Sequence, residues 1–166
     1  MQKTTKNVVR ILTIAMVVVL ALALVLVGCD KLKDAGKPEA EIGAKAITIL
    51  VGTEEEQTTL NVRTDEEYMA QLLLKLAEEN KITNYHSTTS TYGTYVDSIN
   101  NIPGDVQGGY VSVYMSINDV ELVDQSGFMP PVVIGGKTYY ASNVGVDLIP
   151  IRDGESYLFL LGVWNG

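Results

Sequence analysis

Short segments that alternate apolar and polar side chains predict β-strands after residue 45. Residues 46–51 are apolar and largely β-branched, and residues 58–63 alternate with Leu60 and Val62 on one face. The segment between them is polar and begins with a glycine, which is typical of a turn. We therefore predict that the two segments form a β-hairpin.

Apolar side chains then recur at helical spacing, which predicts one amphipathic helix over residues 64–80. Thr64 followed by Glu67 has the pattern of a capping box, and the acidic side chains next to Thr64 favour the positive end of a helix dipole. Asn80 is placed to end the helix. The side chains expected to face the core are Tyr68, Met69, Leu72, Leu73 and Leu76.

The second half of the chain predicts further strands. Residues 93–100 predict a strand, residues 101–109 a turn-rich loop, and residues 110–119 a strand with clean alternation. We expect the aliphatic face of strand 110–119 to pack under the helix, and its Tyr and Ser face to meet solvent or a ligand. The two faces are Val111, Val113, Met115 and Ile117, and Tyr110, Ser112, Tyr114 and Ser116. Residues 156–164 are apolar on both faces, which predicts a central strand.

Two strands, one helix and several further strands predict an α+β fold, with a β-grasp-like mixed sheet packed on one main helix. Because strands that pair in parallel need a crossover, the helix between the early strands and the last one suits this topology. Residues 45–166 are enough for one compact core and not for two.

The N-terminus has the layout of a secretory signal. Residues 1–10 carry three basic side chains and no acid, and residues 11–27 are apolar except for Thr13. The run ends in Leu-Val-Gly-Cys, which resembles the lipobox of bacterial lipoproteins with Cys29 as the lipidated residue. The resemblance implies cleavage before Cys29 and a two-chain lipid anchor on the extracytoplasmic face of the cell membrane. A single transmembrane anchor is the alternative, since residues 11–27 are just long enough to span a bilayer core.

The expected organisation is a lipoprotein signal peptide over residues 1–28, a lipidated flexible tether over residues 29–44, and a β-grasp-like domain over residues 45–166. Removing residues 1–28 leaves nine Lys and Arg against 20 Asp and Glu, a net charge of −11. This acidity argues against a nucleic-acid partner, which needs a basic patch. Anionic headgroups would also repel the domain, so the lipid must hold the chain at the membrane.

The sequence has little of the chemistry that enzymes use, and we predict neither an enzyme nor a metal site. It contains one histidine and one cysteine, and it lacks the patterns of zinc proteases, nucleotide-binding loops and nucleophile elbows. Glu54, Glu55 and Glu56 are more typical of a solvated turn than of a cation site. Imidazole is the usual cobalt ligand in corrinoid proteins, but one histidine, His86, is weak support for any metal.

Residues 92–102, 110–119 and 135–161 carry a family resemblance, strongest at Tyr92-Gly93, at Gly145 followed by Ile149-Pro150-Ile151, and at Asp153-Gly154-Glu155 followed by Tyr157. These stretches resemble a bacterial cell-surface family related to the C-terminal domain of transcobalamin, a β-grasp-like domain. The resemblance implies a domain that covers one side of a corrinoid such as cobalamin. Relatives often carry a tryptophan in the middle strand and an Asn-Gly turn after it. This chain has no tryptophan there, has Asn118-Asp119 at the turn, and continues into a longer loop over residues 120–134.

Two segments form the candidate ligand-binding surface: Tyr92, Gly93, Thr94 and Tyr95, together with Tyr139 and Tyr140. Glycine lets a ligand approach the backbone, and tyrosine offers a large apolar face with a polar tip. Ordinary strand tyrosines are the alternative interpretation.

These observations predict a lipid-anchored extracytoplasmic binding protein that requires no cofactor. It would bind a corrinoid or another small ligand and pass it to a membrane transporter. The alternative function is a cell-surface module that binds a protein or a glycan through its sheet face or an edge strand.

Overall fold

The structure, a computed structural model, describes residues 36–163. The predicted signal peptide over residues 1–28 and the predicted lipidation of Cys29 lie outside the described residues. The chain from Pro38 onward forms one compact unit. In residues 36–163, no helix is both long enough and apolar enough to cross a membrane.

The compact unit is a mixed α+β fold that consists mainly of sheet. Its described elements are β1 Lys45–Gly52, β2 Gln57–Thr64, α1 Met69–Glu78, β3 His86–Ser90, β4 Gly93–Ser98, β5 Gly109–Met115, β6 Val132–Ile134, β7 Lys137–Ala141 and β8 Ser156–Val163. Six strands form one sheet in the order β2-β1-β8-β5-β7-β6, and β3 pairs with β4 in a separate hairpin. β1 and β8 are parallel, and the other paired strands are antiparallel.

The first hairpin and the central position of the last strand are confirmed. β1 and β2 pair over their full lengths, and β8 lies between β1 and β5. Tyr157 and Phe159 of β8 belong to the main core, whereas Leu158 and Leu160 belong to a second cluster on the other face of the sheet. Because both faces of β8 are buried, its sequence is a continuous apolar run rather than an alternation.

The predicted helix start at Thr64 is wrong. Thr64 is the last residue of β2, and its hydroxyl accepts a hydrogen bond from the backbone N–H two residues later at 3.1 Å. The next residues stay outside the helix because they pair with a distant segment. The N–H of Ile151 donates to the carbonyl of Glu67 at 2.8 Å, and Tyr68 forms a β-bridge with Pro150. Long-range backbone pairing thus overrides the local capping pattern.

The segment before β8 caps α1 instead. The N–H of Met69 donates to the carbonyl of Ile149, and the N–H of Ala70 donates to the carbonyl of Val146, both at 3.0 Å. These bonds satisfy two N–H groups that the first helical turn leaves without an intrahelical partner. After the helix, Asn80 adopts a φ of +56°, a left-handed conformation that asparagine tolerates and that ends the helix as predicted.

The main core lies between α1 and one face of the sheet, where Leu72, Leu73 and Leu76 are at most 1% exposed. The second cluster fills the opposite face of the sheet and consists of Leu50, Tyr114, Tyr139, Ala141, Leu158 and Leu160. This cluster corrects the expectation for the Tyr and Ser face of strand 110–119. Ser112 and Tyr114 are buried, whereas Tyr110 is 40% exposed. Burial raises the pKa of the Tyr114 hydroxyl.

The residues just before β1 contact the folded unit. The Tyr68 hydroxyl donates to the carbonyl of Pro38 at 2.8 Å, and the backbone N–H of Asp153 donates to the carboxylate of Glu41 at 2.8 Å. The Lys45 ammonium also donates to the carbonyl of Glu41 at 2.8 Å. The flexible tether over residues 29–44 stays a prediction, and its C-terminal part is bound to the domain.

Candidate ligand-binding site

The hairpin of β3 and β4 forms a wall beside the six-stranded sheet. Thr94 holds it in place, because its carbonyl accepts a hydrogen bond from the N–H of Val146 at 2.8 Å and its N–H donates to Asp147 Oδ1 at 2.6 Å. Val96 is 5% exposed and anchors β4 in the main core. β3 is exposed along its whole length, so β4 and Tyr85, which precedes β3 and packs against the main core, attach the hairpin.

Two glycines allow this wall to approach the segment after β7. A Cβ added to Gly145 would overlap the Thr94 nitrogen and would lie 2.8 Å from the carbonyl carbon of Gly93. A Cβ added to Gly93 would lie 3.0 Å from the Cα of Gly145, and Gly93 has a φ of +114°. Side chains at either position would therefore push the two segments apart.

The chain leaves the sheet directly after β7. β7 pairs with β5 only at Tyr114 and Met115, and the N–H of Ser142 then donates to the carbonyl of Val113 at 2.8 Å. The Ser142 hydroxyl donates to the carbonyl of Val144 at 2.9 Å and accepts from the N–H of Val144 at 3.2 Å. This local turn directs the chain toward β4 and away from the edge of β5.

Beyond the end of β7, the space beside the edge of β5 is a cavity of about 230 Å³. Its walls come from β4, from β5, from the segment after β7 and from the long loop before β6. The lining residues are Thr94, Tyr95, Val96, Tyr110, Val111, Ser112, Val113, Met129, Ser142, Asn143, Val144, Gly145 and Val146. None of these side chains carries a formal charge, so the cavity suits an apolar or neutral polar group.

Two partly exposed tyrosines contribute aromatic surface to this cavity. Tyr95 is 49% exposed and Tyr110 is 40% exposed. The ring of Tyr110 lies against Gly162 of β8, since a Cβ on that glycine would come within 2.5 to 2.9 Å of three ring carbons. Contact with the neighbouring strand thus orients the Tyr110 ring, and both tyrosines offer a stacking face with a hydroxyl at its tip.

The structure divides the six sequence-predicted residues between different surroundings. Thr94 and Tyr95 line the cavity. Tyr92 is 80% exposed beside the turn glycine, Gly93, whose role is to bring β4 close to Gly145. Tyr139 is 3% exposed in the second cluster, and Tyr140, on the other face of β7, packs against the main core. The structure therefore brings Thr94 and Tyr95 together and places Tyr139 and Tyr140 away from the cavity lining.

The six sequence-predicted residues include no lining residue of β5, of the long loop or of the segment after β7, although Tyr110 and Ser112 lie on the strand face that was expected to meet solvent or a ligand. Gly145 belongs to the family motif, and this motif was the available signal for the segment after β7. Tyr110 was assigned to an open face of its strand, which its exposure supports.

Met129 lies in the apolar loop segment 127–133, which could equally form a contact patch or fold back on the core, and Val111 lies on the aliphatic face of its strand. That the two residues line one cavity depends on where β7 ends, which no local pattern records.

His86 begins β3 and is exposed, opposite Ser98 of β4. Glu54, Glu55 and Glu56 lie between β1 and β2. Across residues 36–163, no group of three or more His, Cys, Asp and Glu side chains is arranged to hold a metal ion.

Comparison with protein-family models finds no match, and no curated protein matches significantly. Among solved structures, the chain is similar to haptocorrin in complex with Cbi, with 14% identity and a TM-score of 0.50. The match covers 78% of this chain and 28% of haptocorrin. The fold is related to that of part of haptocorrin. A candidate metal binding protein from Ruminococcus gnavus ATCC 29149 also matches, with 17% identity, a TM-score of 0.48, and coverage of 72% of this chain and 98% of that chain.

Proposed function

We propose that this protein is a lipid-anchored extracytoplasmic binding protein with a β-grasp-like domain that holds a small, flat, partly apolar ligand at the cavity between β4 and β5. The proposal rests on one observation: an uncharged cavity whose lining includes the partly exposed rings of Tyr95 and Tyr110. Apolar walls with a few polar groups are the usual composition of small-ligand sites. Serine and asparagine at positions 142 and 143 supply such polar groups here.

A corrinoid is the leading ligand class, supported by the fold shared with haptocorrin, which was crystallised with Cbi. A cavity of about 230 Å³ is smaller than a typical site for a drug-sized ligand, so it would hold one edge of a corrinoid and leave the rest uncovered. We therefore expect weak binding by this domain alone, on the order of micromolar. A transporter subunit that covers the open side would complete the site and receive the ligand.

Tyr95→Ala is expected to weaken corrinoid binding about tenfold, because it removes a stacking face from the cavity. The thermal midpoint should change little, since the Tyr95 side chain is half-exposed. Tyr92→Ala is the matched control, because Tyr92 is on the same hairpin and does not line the cavity. Calorimetry of the full-length chain in detergent with cobinamide and cobalamin measures the affinities. No binding of either corrinoid to the parent protein, or an equal loss in the two variants, would contradict the proposed site.

Cys29→Ala is expected to abolish lipid attachment and cleavage before residue 29, because the thiol is the proposed acceptor of the lipid. Metabolic labelling with a radioactive fatty acid measures lipid attachment, and the mass of the purified protein measures cleavage. A Cys29→Ser variant controls for side-chain size. Label that persists on either variant would show that the lipid is attached elsewhere.

A further inference from the structure

We propose that the unpaired edge of β5 accepts an extended, basic peptide segment of a partner protein as an additional strand. The inference rests on the proposed function for the location of the site, and it names the partner chemistry that the same cavity would recognise. The added strand would occupy the position in the sheet that β7 vacates after Ser142. Backbone hydrogen bonds would supply its affinity, as in other cases of strand addition to a sheet edge.

Alternation of hydrogen bonds along β5 shows which backbone groups face this edge. The carbonyl of Val113 accepts from Ser142 on the β7 side, whereas the N–H of Ser116 donates to Ser156 on the β8 side. In an antiparallel ladder, successive residues direct their N–H and C=O groups to opposite sides. Val111 therefore directs its N–H and C=O toward the β7 side, where no described strand pairs with it. This residue offers one donor and one acceptor to an incoming strand.

The cavity lies along this edge, since Val111, Ser112 and Val113 of β5 line it. β4 borders it on the helix side of the sheet, through Thr94 and Val96, and Met129 also lines it. The turn at Ser142 closes one end. A short extended segment would place alternate side chains on the two sides of the sheet, against the apolar walls.

Charge complementarity selects a basic segment. Residues 82–136, which supply β4, β5 and the long loop, contain five acidic residues and no Lys or Arg. One of the five, Asp119, forms an ion pair with Arg152, whereas the other four form no ion pair with any of residues 36–163. The segment that closes the cavity after β7 adds Asp147, again with no basic residue between positions 138 and 151.

Two of these carboxylates adjoin lining residues of the cavity. Asp97 follows Val96 in β4, and Asp147 accepts a hydrogen bond from Thr94. They would attract Lys and Arg side chains that flank the added strand and would repel Asp and Glu.

A docked segment would compete with the small ligand, because both would occupy the cavity beside Val111. Docking of the partner would then release the ligand at the partner's surface. This competition links the binding of a transporter or surface protein to ligand transfer, and it requires no conformational change in the sheet.

Three peptides test the inference on the full-length chain in detergent. The probe is acetyl-Lys-Lys-Thr-Val-Thr-Val-Thr-Lys-Lys-amide, the second peptide has Glu in place of Lys, and the third is the basic peptide with alternate backbone nitrogens methylated. We expect the basic peptide to bind at least about tenfold more tightly than the other two at low salt, with a smaller advantage over the acidic peptide at high salt. Equal affinities, or tight binding of the methylated peptide, would overturn the proposal.

Val111→Pro is the matching variant of the protein. Proline at this position removes an N–H that faces the free edge, so the sheet should keep its own hydrogen bonds while affinity for the basic peptide falls at least about tenfold. Val111→Ala measures the contribution of the side chain alone, and Val111→Pro should weaken peptide binding at least about fivefold more than Val111→Ala does. If Val111→Pro unfolds the protein, the comparison of methylated and unmethylated peptides on the parent protein still shows whether the peptide pairs with the edge of β5 through its backbone.

Separate titrations distinguish this inference from the proposed small-ligand function. Basic peptide binding without corrinoid binding would support the edge site and contradict the small-ligand proposal. Corrinoid binding without any peptide binding would support the small-ligand proposal and contradict the edge site. If both bind, adding the basic peptide should displace the corrinoid, and simultaneous binding would overturn the shared site.

Discussion

Replacing Leu73 by alanine is expected to lower the free energy of unfolding by about 2 to 5 kcal/mol, because the substitution leaves a cavity between α1 and the sheet. The Leu73 side chain is fully buried in the main core. Leu74→Ala is the matched control, since the next residue on the same helix is also leucine and is 54% exposed. Leu74→Ala should cost less than about 1 kcal/mol. Urea unfolding followed by circular dichroism gives both values.

The difference between these two variants tests the packing of the helix. Equal and small effects would mean that α1 does not rest on the sheet through its predicted apolar stripe. Leu72→Ala should behave like Leu73→Ala, because Leu72 is 1% exposed in the same core. Large losses at both buried leucines with little change at Leu74 would exclude an effect of helix propensity, which would act equally at all three positions.

Replacing Tyr139 by alanine is expected to destabilise the protein by about 3 kcal/mol or more, because a large aromatic side chain is lost from a buried cluster. Tyr139 is 3% exposed and packs with Leu158 and Leu160 on the face of the sheet opposite α1. Tyr92→Ala should have little effect on stability, since Tyr92 is 80% exposed. Thermal and urea midpoints of the two variants measure the difference.

The same two variants also test which tyrosines bind ligand. At temperatures where Tyr139→Ala remains folded, its affinity for a corrinoid or a basic peptide should match that of the parent protein. A direct loss of affinity with unchanged stability would contradict the assignment of Tyr139 to the second cluster. It would restore the interpretation in which Tyr139 and Tyr140 share a surface with Tyr95.

Local patterns in the sequence were sufficient for the elements that depend on one segment at a time. The α+β class, the hairpin of β1 and β2, the buried stripe of Leu72, Leu73 and Leu76, and the central position of β8 all follow from hydrophobic periodicity. Periodicity works in these cases because burial acts on each helix or strand face separately, and the side chains of one face recur at a fixed interval.

The start of α1, the burial of Tyr139 and the cavity beside β5 depend on which distant segments pair. Only the tertiary structure determines them. Pairing with residues 150 and 151 keeps Glu67 and Tyr68 out of the helix and moves the start of α1. The side of the sheet on which Tyr139 lies follows from the register of β7 with β5, and alternation alone does not say which face is covered. The cavity exists because β7 ends at Ala141 while β5 extends farther along the sheet, so Val111 keeps an unpaired backbone edge. A single strand's sequence contains its own alternation but not the length of its neighbour.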